Sequence, residues 1–139
     1  MNFVKIETKN LDELKELHTA YKIEIGESAP TEKDFKHLFK AIENEEILFY
    51  GCKIDEKLVA CCSISTTFST FNYQKAGVFE DFYIKPEFRH KGIARKLVTF
   101  AWKQSGVGSL TVGCADCDVE MYKAIGFEIP LGNMLAFNK

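Results

Sequence analysis

The residues of this chain best suited to chemistry are the basic cluster Arg89-His90-Lys91-Gly92-Ile93-Ala94-Arg95-Lys96. A helix is expected from about residue 92 to 104, with Ile93, Leu97, Val98 and Ala101 facing inward. Helix N-termini favour acids, because unpaired backbone N–H groups and the macrodipole make that end positive. Three other expected helices obey, opening with Asp12 and Glu13, with Glu32 and Asp34, and with Asp118 and Glu120. The helix at residue 92 does the opposite: Arg89, His90 and Lys91 precede it, Arg95 and Lys96 sit in its first turns, and no Ser, Thr, Asp or Asn opens it. Such an end stacks like charges unless an anion docks there, and phosphate is an anion that helix N-termini bind. Gly92 lets a phosphate approach the backbone closely, and Ala94 is the next smallest choice. The plainer alternative is a solvated basic helix start, since one surface charge near a helix end contributes only about 0.3–1 kcal/mol.

Cys114-Ala115-Asp116-Cys117 is a second candidate, a C-x-x-C pair. Zinc needs two further ligands, and Cys61 and Cys62 are adjacent strand residues pointing opposite ways, so no metal site is expected. The pair follows an expected strand in a context unlike that of thioredoxin-type redox motifs. His18 and His37 fall on expected helices as surface or packing residues.

At 139 residues the chain fits one domain, residues 1–139, with no repeat, low-complexity tract or linker to divide it. Hydrophobic residues make up 46% and charged residues 27%, a globular rather than disordered balance. A net charge of −2 argues against a dedicated nucleic-acid binder, which carries a basic surplus. Met1-Asn2-Phe3-Val4-Lys5 alternates instead of building a signal-peptide core, and no apolar run approaches the roughly 20 residues of a membrane span. Five Cys without an export signal read as reduced thiols, so a cytoplasmic protein with no membrane partner is expected.

The elements that must position these groups follow from periodicity. Residues 4–8 alternate as a strand, and Asn10 with Glu13 forms a capping-box pattern before Leu11, Leu14, Leu17 and Tyr21 at helical spacing. Residues 24–30 read as a loop, and Thr31 caps a second helix with the stripe Phe35, Leu38, Phe39 and Ile42. Residues 47–54, 58–67 and 76–85 are β-branched and aromatic runs, the first two joined by a tight reversal at Asp55-Glu56-Lys57. Residues 68–75 read as a longer aromatic connection. After the basic helix come a strand at 110–114, a short helix at 118–125 closed by Gly126, and final strands at 127–129 and 134–137. The order β α α β β β α β α β β predicts an α/β (mixed α+β) fold, a central mixed sheet with helices on its faces.

The stretch Glu80-Asp81-Phe82-Tyr83-Ile84-Lys85-Pro86-Glu87-Phe88-Arg89-His90-Lys91-Gly92-Ile93-Ala94 closely resembles the acetyl-CoA signature of the GNAT acetyltransferase superfamily: a strand, then Arg/Gln-x-x-Gly-x-Gly/Ala, then a helix. Glu120-Met121-Tyr122-Lys123-Ala124-Ile125-Gly126-Phe127 resembles the family's second motif. The resemblance covers most of the chain, firmly from Ile47 onward. It implies a GNAT-type sheet whose fourth and fifth strands splay apart to make a slot. Arg89, His90, Lys91, Gly92, Ile93, Ala94 and Arg95 would then hold the pyrophosphate of acetyl-CoA. The backbone of Phe82, Tyr83 and Ile84 would pair with its pantetheine as an extra strand. Ala94 replaces a frequent Gly as an accepted variant, and Ala115 stands where the family commonly has Asn. Walker and Rossmann patterns are both absent.

The activity so implied is N-acetyl transfer from acetyl-CoA, as cosubstrate, to a primary amine of a small molecule by direct attack. An alkyl ammonium, with a pKa of about 10.4, must lose a proton before attack, and the departing thiolate must gain one. The family resemblance maps that acid onto Tyr122. Glu80-Asp81-Phe82 also resembles a segment of spermidine/spermine acetyltransferases, which implies Glu80 as a base acting through water. Strand alternation puts Glu80 and Asp81 on opposite faces, so only one would readily line the cleft. Glu24 and Glu27, in the loop that helps form the family's acceptor site, would bind the substrate. The aromatics of residues 68–73 border it and suit a cationic amine. Two other readings stay open: a non-catalytic acyl-CoA-binding regulatory module, and an acetyltransferase acting on protein Lys or N-termini. The sequence leaves oligomeric state open too, a homodimer being the commonest symmetric assembly.

Overall fold

A computed structural model describes residues 1–138. Strand β1 (Asn2–Lys5) leads through a 3-10 turn to α1 (Leu11–Glu24), and α2 (Glu32–Glu43) follows. Then come β2 (Ile47–Ile54), β3 (Lys57–Ser69), β4 (Gln74–Ile84) and α3 (Ile93–Ser105), and finally β5 (Ser109–Val112) and the short α4 (Val119–Ala124). The strands form one sheet in the order β1-β2-β3-β4-β5, antiparallel except for the parallel pair β4 and β5. The architecture is the mixed α/β sheet expected from the sequence.

Local chemistry explains most boundaries. Thr31 and Asp34 close the start of α2 reciprocally, Asp34 N–H donating to Thr31 Oγ1 at 3.2 Å and Thr31 N–H to Asp34 Oδ2 at 2.8 Å. Asp55 and Glu56, with φ of 52° and 65°, supply the two left-handed residues of a tight hairpin between β2 and β3. Gly106, φ 70°, ends α3 in the left-handed conformation.

β3 is buried on both faces from Leu58 to Ile64, which is why its sequence reads as a near-continuous apolar run, interrupted only by Ser63. On one face Phe49, Cys61 and Tyr83 pack with Leu14 and Leu17 of α1. On the other, Tyr50, Cys62, Ile64 and Phe79 pack with Leu97, Val98 and Ala101 of α3. Burial, then the neighbouring Cys62 and Glu45, pushes the Tyr50 phenol up to about 12. An unfolded tyrosine releases its proton near pH 10, so between about pH 10 and 12 the folded state binds more protons and stability falls as pH rises. Tyr50 alone is expected to cost roughly 2–3 kcal/mol across that window. Urea midpoints measured from pH 9 to 12 should fall, and Tyr50→Phe should lessen the fall; parallel curves would contradict it.

Three local expectations are corrected. Asn10 does not pair with Glu13: its Oδ1 accepts from Glu7 N–H at 3.0 Å, while Glu13 Oε2 accepts from Leu58 N–H at 2.8 Å and ties α1 to the β2–β3 hairpin. The connection at 68–75 is shorter than read, because cross-strand pairing carries β3 to Ser69 and starts β4 at Gln74. Residues 127–129 and 134–137 form no strands, although their alternation is strand-like. Pro130 lacks a ladder donor, Gly132 is left-handed with φ 95°, and no strand pairs with either segment. Among the described residues no helix is long and apolar enough to cross a membrane.

Candidate active site

β4 and β5 form the only parallel pair in the described sheet, and their pairing stops at Phe79 opposite Val112. β4 continues to Ile84 on its β3 side alone, so residues 80–84 present a free edge where β5 turns away. The chain leaves both strands at this end, β4 toward α3 and β5 toward α4. The opening therefore lies at the carboxyl ends of parallel strands, where α/β sheets bind ligands. Phe82, Tyr83 and Ile84 lie on this edge.

The start of α3 stands beside it. Gly92 is its N-cap with φ 81°, no side chain caps the helix, and its first turn holds no acid. A Cβ built on Gly92 would meet nothing within 4 Å, so the glycine is required by its backbone angle and the space beside it is open. The basic residues divide into two groups. Arg89 Nε donates to Ile84 O at 2.8 Å, its NH2 group pairs with Glu24 Oε1 at 2.7 Å, and its guanidinium lies 5.4 Å from the Tyr83 ring centroid. Arg95 NH1 donates to the Ala124 carbonyl at 3.1 Å, holding the end of α4 against α3. His90 and Lys91 are exposed and make no ion pair among the described residues.

The structure brings Tyr122 to the opening. Its ring centroid is 6.4 Å from that of Phe82 and 5.9 Å from that of Phe127, and Phe79 closes the set at 5.6 Å from Phe82 and 5.2 Å from Phe127. Burial first, then Asp118 and Cys114, raises the Tyr122 phenol above its ordinary range, so it stays protonated at neutral pH.

Glu80 and Asp81 depart from simple alternation. Cys61 pairs with Tyr83 and Ser63 with Glu80, leaving Asp81 and Phe82 opposite Cys62 alone: a β-bulge, with Asp81 left-handed at φ 53°. The extra residue puts both acids on the α1 side of the sheet. Glu80 shares that face with its partner Ser63, and Asp81 Oδ2 accepts from Ser63 Oγ at 2.6 Å. The two-face expectation fails because alternation counts residues, and a bulge adds one. Tyr21 of α1 registers the cluster: burial first, then Asp81, Tyr122, Glu80 and Glu27, pushes its phenol up to about 12. His18, 8% exposed, lies 6.0 Å ring to ring from Tyr21, and burial lowers its pKa against the opposing charge of Asp81. Sequence reasoning gave Asp81, Ser63, Tyr21 and His18 no role in the site, reading Tyr21 as part of a helical stripe and His18 as a surface or packing residue. Only the paired acids at 80 and 81 hinted at them.

Glu24 and Glu27 are both already paired, Glu24 with Arg89 and Glu27 with Lys22 at 3.0 Å. Neither Glu80 nor Asp81 has an ion-pair partner among the described residues. Of these four acids, the two without an ion-pair partner are on β4, while Glu24, the last residue of α1, and Glu27, in the loop after it, are paired.

Comparison with known proteins fits this geometry. Among solved structures, a probable acetyltransferase superposes with a TM-score of 0.82 at 22% identity, covering 100% of both chains. A predicted acetyltransferase with acetyl-CoA from Clostridium acetobutylicum superposes at 0.79 with 17% identity, over 99% of this chain and 95% of that one. An aminoglycoside acetyltransferase in complex with sisomicin, from an uncultured soil metagenomic sample, gives 0.83 with 12% identity, again over 99% and 95%. At such identities these likenesses establish the fold. No curated protein matches by sequence. The model of the acetyltransferase (GNAT) family matches residues 11–127, which include α3, the opening and Tyr122, and the chain belongs to that family.

Proposed function

We propose that this chain transfers the acetyl group of acetyl-CoA to a primary amine of a small cationic molecule by direct attack. The observation that carries the reading is the parting of β4 from β5 beyond Phe79, beside a helix N-terminus with no cap and no acid. Acetyl-CoA supplies the activated acyl group. Its phosphates fit the N–H groups that open α3 at Gly92, Ile93, Ala94 and Arg95, with Lys91 adding charge and His90 a further hydrogen bond. Arg89 and Arg95 hold the turn and the end of α4 in place. The free edge at Phe82, Tyr83 and Ile84 offers the amide groups of the pantetheine a strand to pair with, and in this reading a backbone N–H near Ile84 steadies the oxyanion. The Clostridium acetobutylicum structure, described with acetyl-CoA, supports this cosubstrate, and the sisomicin complex supports a small-molecule acceptor.

For the acceptor, Asp81 and Glu80 form the anionic floor that an ammonium needs. Asp81 is fixed by Ser63 and serves to hold the amine, while Glu80, exposed and so hydrated, takes its proton through water. Tyr122 hydrogen-bonds to the developing thiolate and donates its proton to it. The test combines acetyl-CoA calorimetry with thiol release across a panel of diamines, neutral-bodied amines and peptides. Gly92→Val places a β-branched residue at a positive φ and should weaken coenzyme binding at least about 10-fold. Asp81→Asn should raise KM for diamines most. No heat with acetyl-CoA would end the proposal, and activity on peptides alone would end its small-molecule part.

A further inference from the structure

His18 of α1 is a buried titratable group that the acetyl-transfer steps leave unused. Its Nδ1 is shut off from water and has no hydrogen-bond partner among the described residues. Buried polar atoms are nearly always paired, so one that is not calls for a physical account. The ring is enclosed by aromatics instead: Tyr21 at 6.0 Å, Phe49 at 6.1 Å and Phe35 at 6.2 Å between centroids, the last two edge to face.

The sheet beneath joins this ring to the acceptor acids. Phe49 of β2 pairs across the ladder with Ser63 of β3, so the two share the α1 face. Ser63 Oγ in turn donates to Asp81 Oδ2 at 2.6 Å. His18 therefore lies over the neighbour of the hydroxyl that holds Asp81. Few charges face the ring. α1 supplies Lys22 and the neutral phenol of Tyr21, the loop after it supplies Glu27, and β4 supplies Asp81. Phe35 of α2 and Phe49 of β2 bring none, and Ser63 and the buried Cys61 thiol of β3 are uncharged. Lys22 and Glu27 pair with each other at 3.0 Å and largely cancel, which leaves Asp81 as the unbalanced charge. Burial lowers the imidazole pKa and Asp81 acts against that, so the ring is mostly neutral at neutral pH.

We propose, resting on the acetyl-transfer reading above, that His18 is a positioning residue of the acceptor site. Protonated, it takes Asp81 as its counter-ion and shuts a cationic amine out of that carboxylate; neutral, it leaves Asp81 to the amine. One carboxylate cannot balance two cations in a part-buried site without leaving one of them short of a partner. Proton and amine are therefore linked, each weakening the other by the same factor. Amine affinity is full above the His18 midpoint and falls as pH drops through it, and bound amine moves that midpoint down. A Lys or Arg at position 18 would cancel Asp81 at every pH, and an apolar residue at none. The histidine makes acceptor capture depend on pH.

Putrescine is the probe, because both its ammonium groups, with pKa values of about 10, stay charged in acid and any change in affinity belongs to the protein. With CoA in place of acetyl-CoA there is no turnover, and calorimetry should show putrescine binding weaken at least about 5-fold from about pH 7.5 to 5. In His18→Asn it should hold within about 2-fold over the same range. NMR of the parent chain reads the ring directly. Of the three histidines, His18 should titrate at lower pH once putrescine saturates, while His37, exposed on α2, should not move. That measurement decides alone if His18→Asn does not fold. A His18 midpoint unmoved by putrescine, or a pH dependence that His18→Asn retains, overturns the proposal. Thiol release from acetyl-CoA with putrescine at neutral pH tests the underlying reading apart from it. Turnover with an unmoved His18 ends the role of His18 alone; no binding and no turnover with any amine ends both.

Discussion

Tyr122→Phe is expected to lower kcat by about 10²–10³-fold, the range lost with a positioned proton donor. The substitution keeps the ring that packs against Phe82 and Phe127, so the opening beside β4 should keep its shape and coenzyme affinity should barely move. Its raised pKa defines how the phenol acts. A thiol near the reference of about 8.5 is a stronger acid than Tyr122, so full proton transfer to the thiolate is uphill. The phenol contributes first as a hydrogen bond that strengthens as negative charge gathers on sulfur, and releases its proton late. That interaction exists in the transition state and not in the ground state, which places the loss in kcat and not in KM. Thiol release at saturating acetyl-CoA and amine, with calorimetry on the same variant, separates the two quantities. A variant with normal kcat would remove Tyr122 from the chemistry. A fall in affinity matching the fall in kcat would make it a packing residue.

What the sequence disclosed about this site depended on whether the signal was local. The basic start of α3 was legible because charge at a helix end is a one-dimensional pattern. Gly92, reading as a point of close approach, proves to be required by its positive φ. Arg89 and Glu24, 65 residues apart, could not be paired from the sequence, and the structure joins them. Arg89 holds a turn through Ile84 and is ion-paired with Glu24 at the end of α1. The bulge at Asp81 was equally hidden. Nothing in Glu80-Asp81-Phe82 marks an extra residue, yet that residue turns two acids onto one face. The final segment shows the converse. Its alternation is a true strand pattern, but a strand exists only where an edge receives it, and no edge of the described sheet does.

The bulge also ties fold to chemistry. Aspartate tolerates the left-handed region better than most residues, and its short carboxylate reaches Ser63 on the neighbouring strand. The 2.6 Å bond compensates part of the cost of holding that backbone angle. Ser63 is fully buried, which makes this hydroxyl a built partner and not a chance surface contact.

Phe79→Ala is expected to be the most destabilising single truncation near the site, by about 3–5 kcal/mol. Phe79 is fully buried on the α3 face, packs at a tilt against both Phe82 and Phe127, and pairs with Val112 at the last rung joining β4 to β5. Its loss removes transfer energy and leaves a cavity under that rung, where the strands already diverge and cannot easily collapse inward. For a chain of this size the midpoint of thermal unfolding should drop by roughly 10–15 °C. Phe71→Ala is the control: its side chain is fully exposed at the β3–β4 turn, so its effect should stay within about 0.5 kcal/mol. The damage should extend to function in the fraction that remains folded. Tyr122 is positioned through Phe82 and Phe127, both of which lose their shared neighbour, so acetyl-CoA turnover should fall even below the melting transition. A Phe79→Ala protein that melts within a few degrees of the parent would show that the rung is held from elsewhere, by α3 or by the end of α4. One that is destabilised as expected but turns over normally would separate the aromatic cluster from the acid it carries.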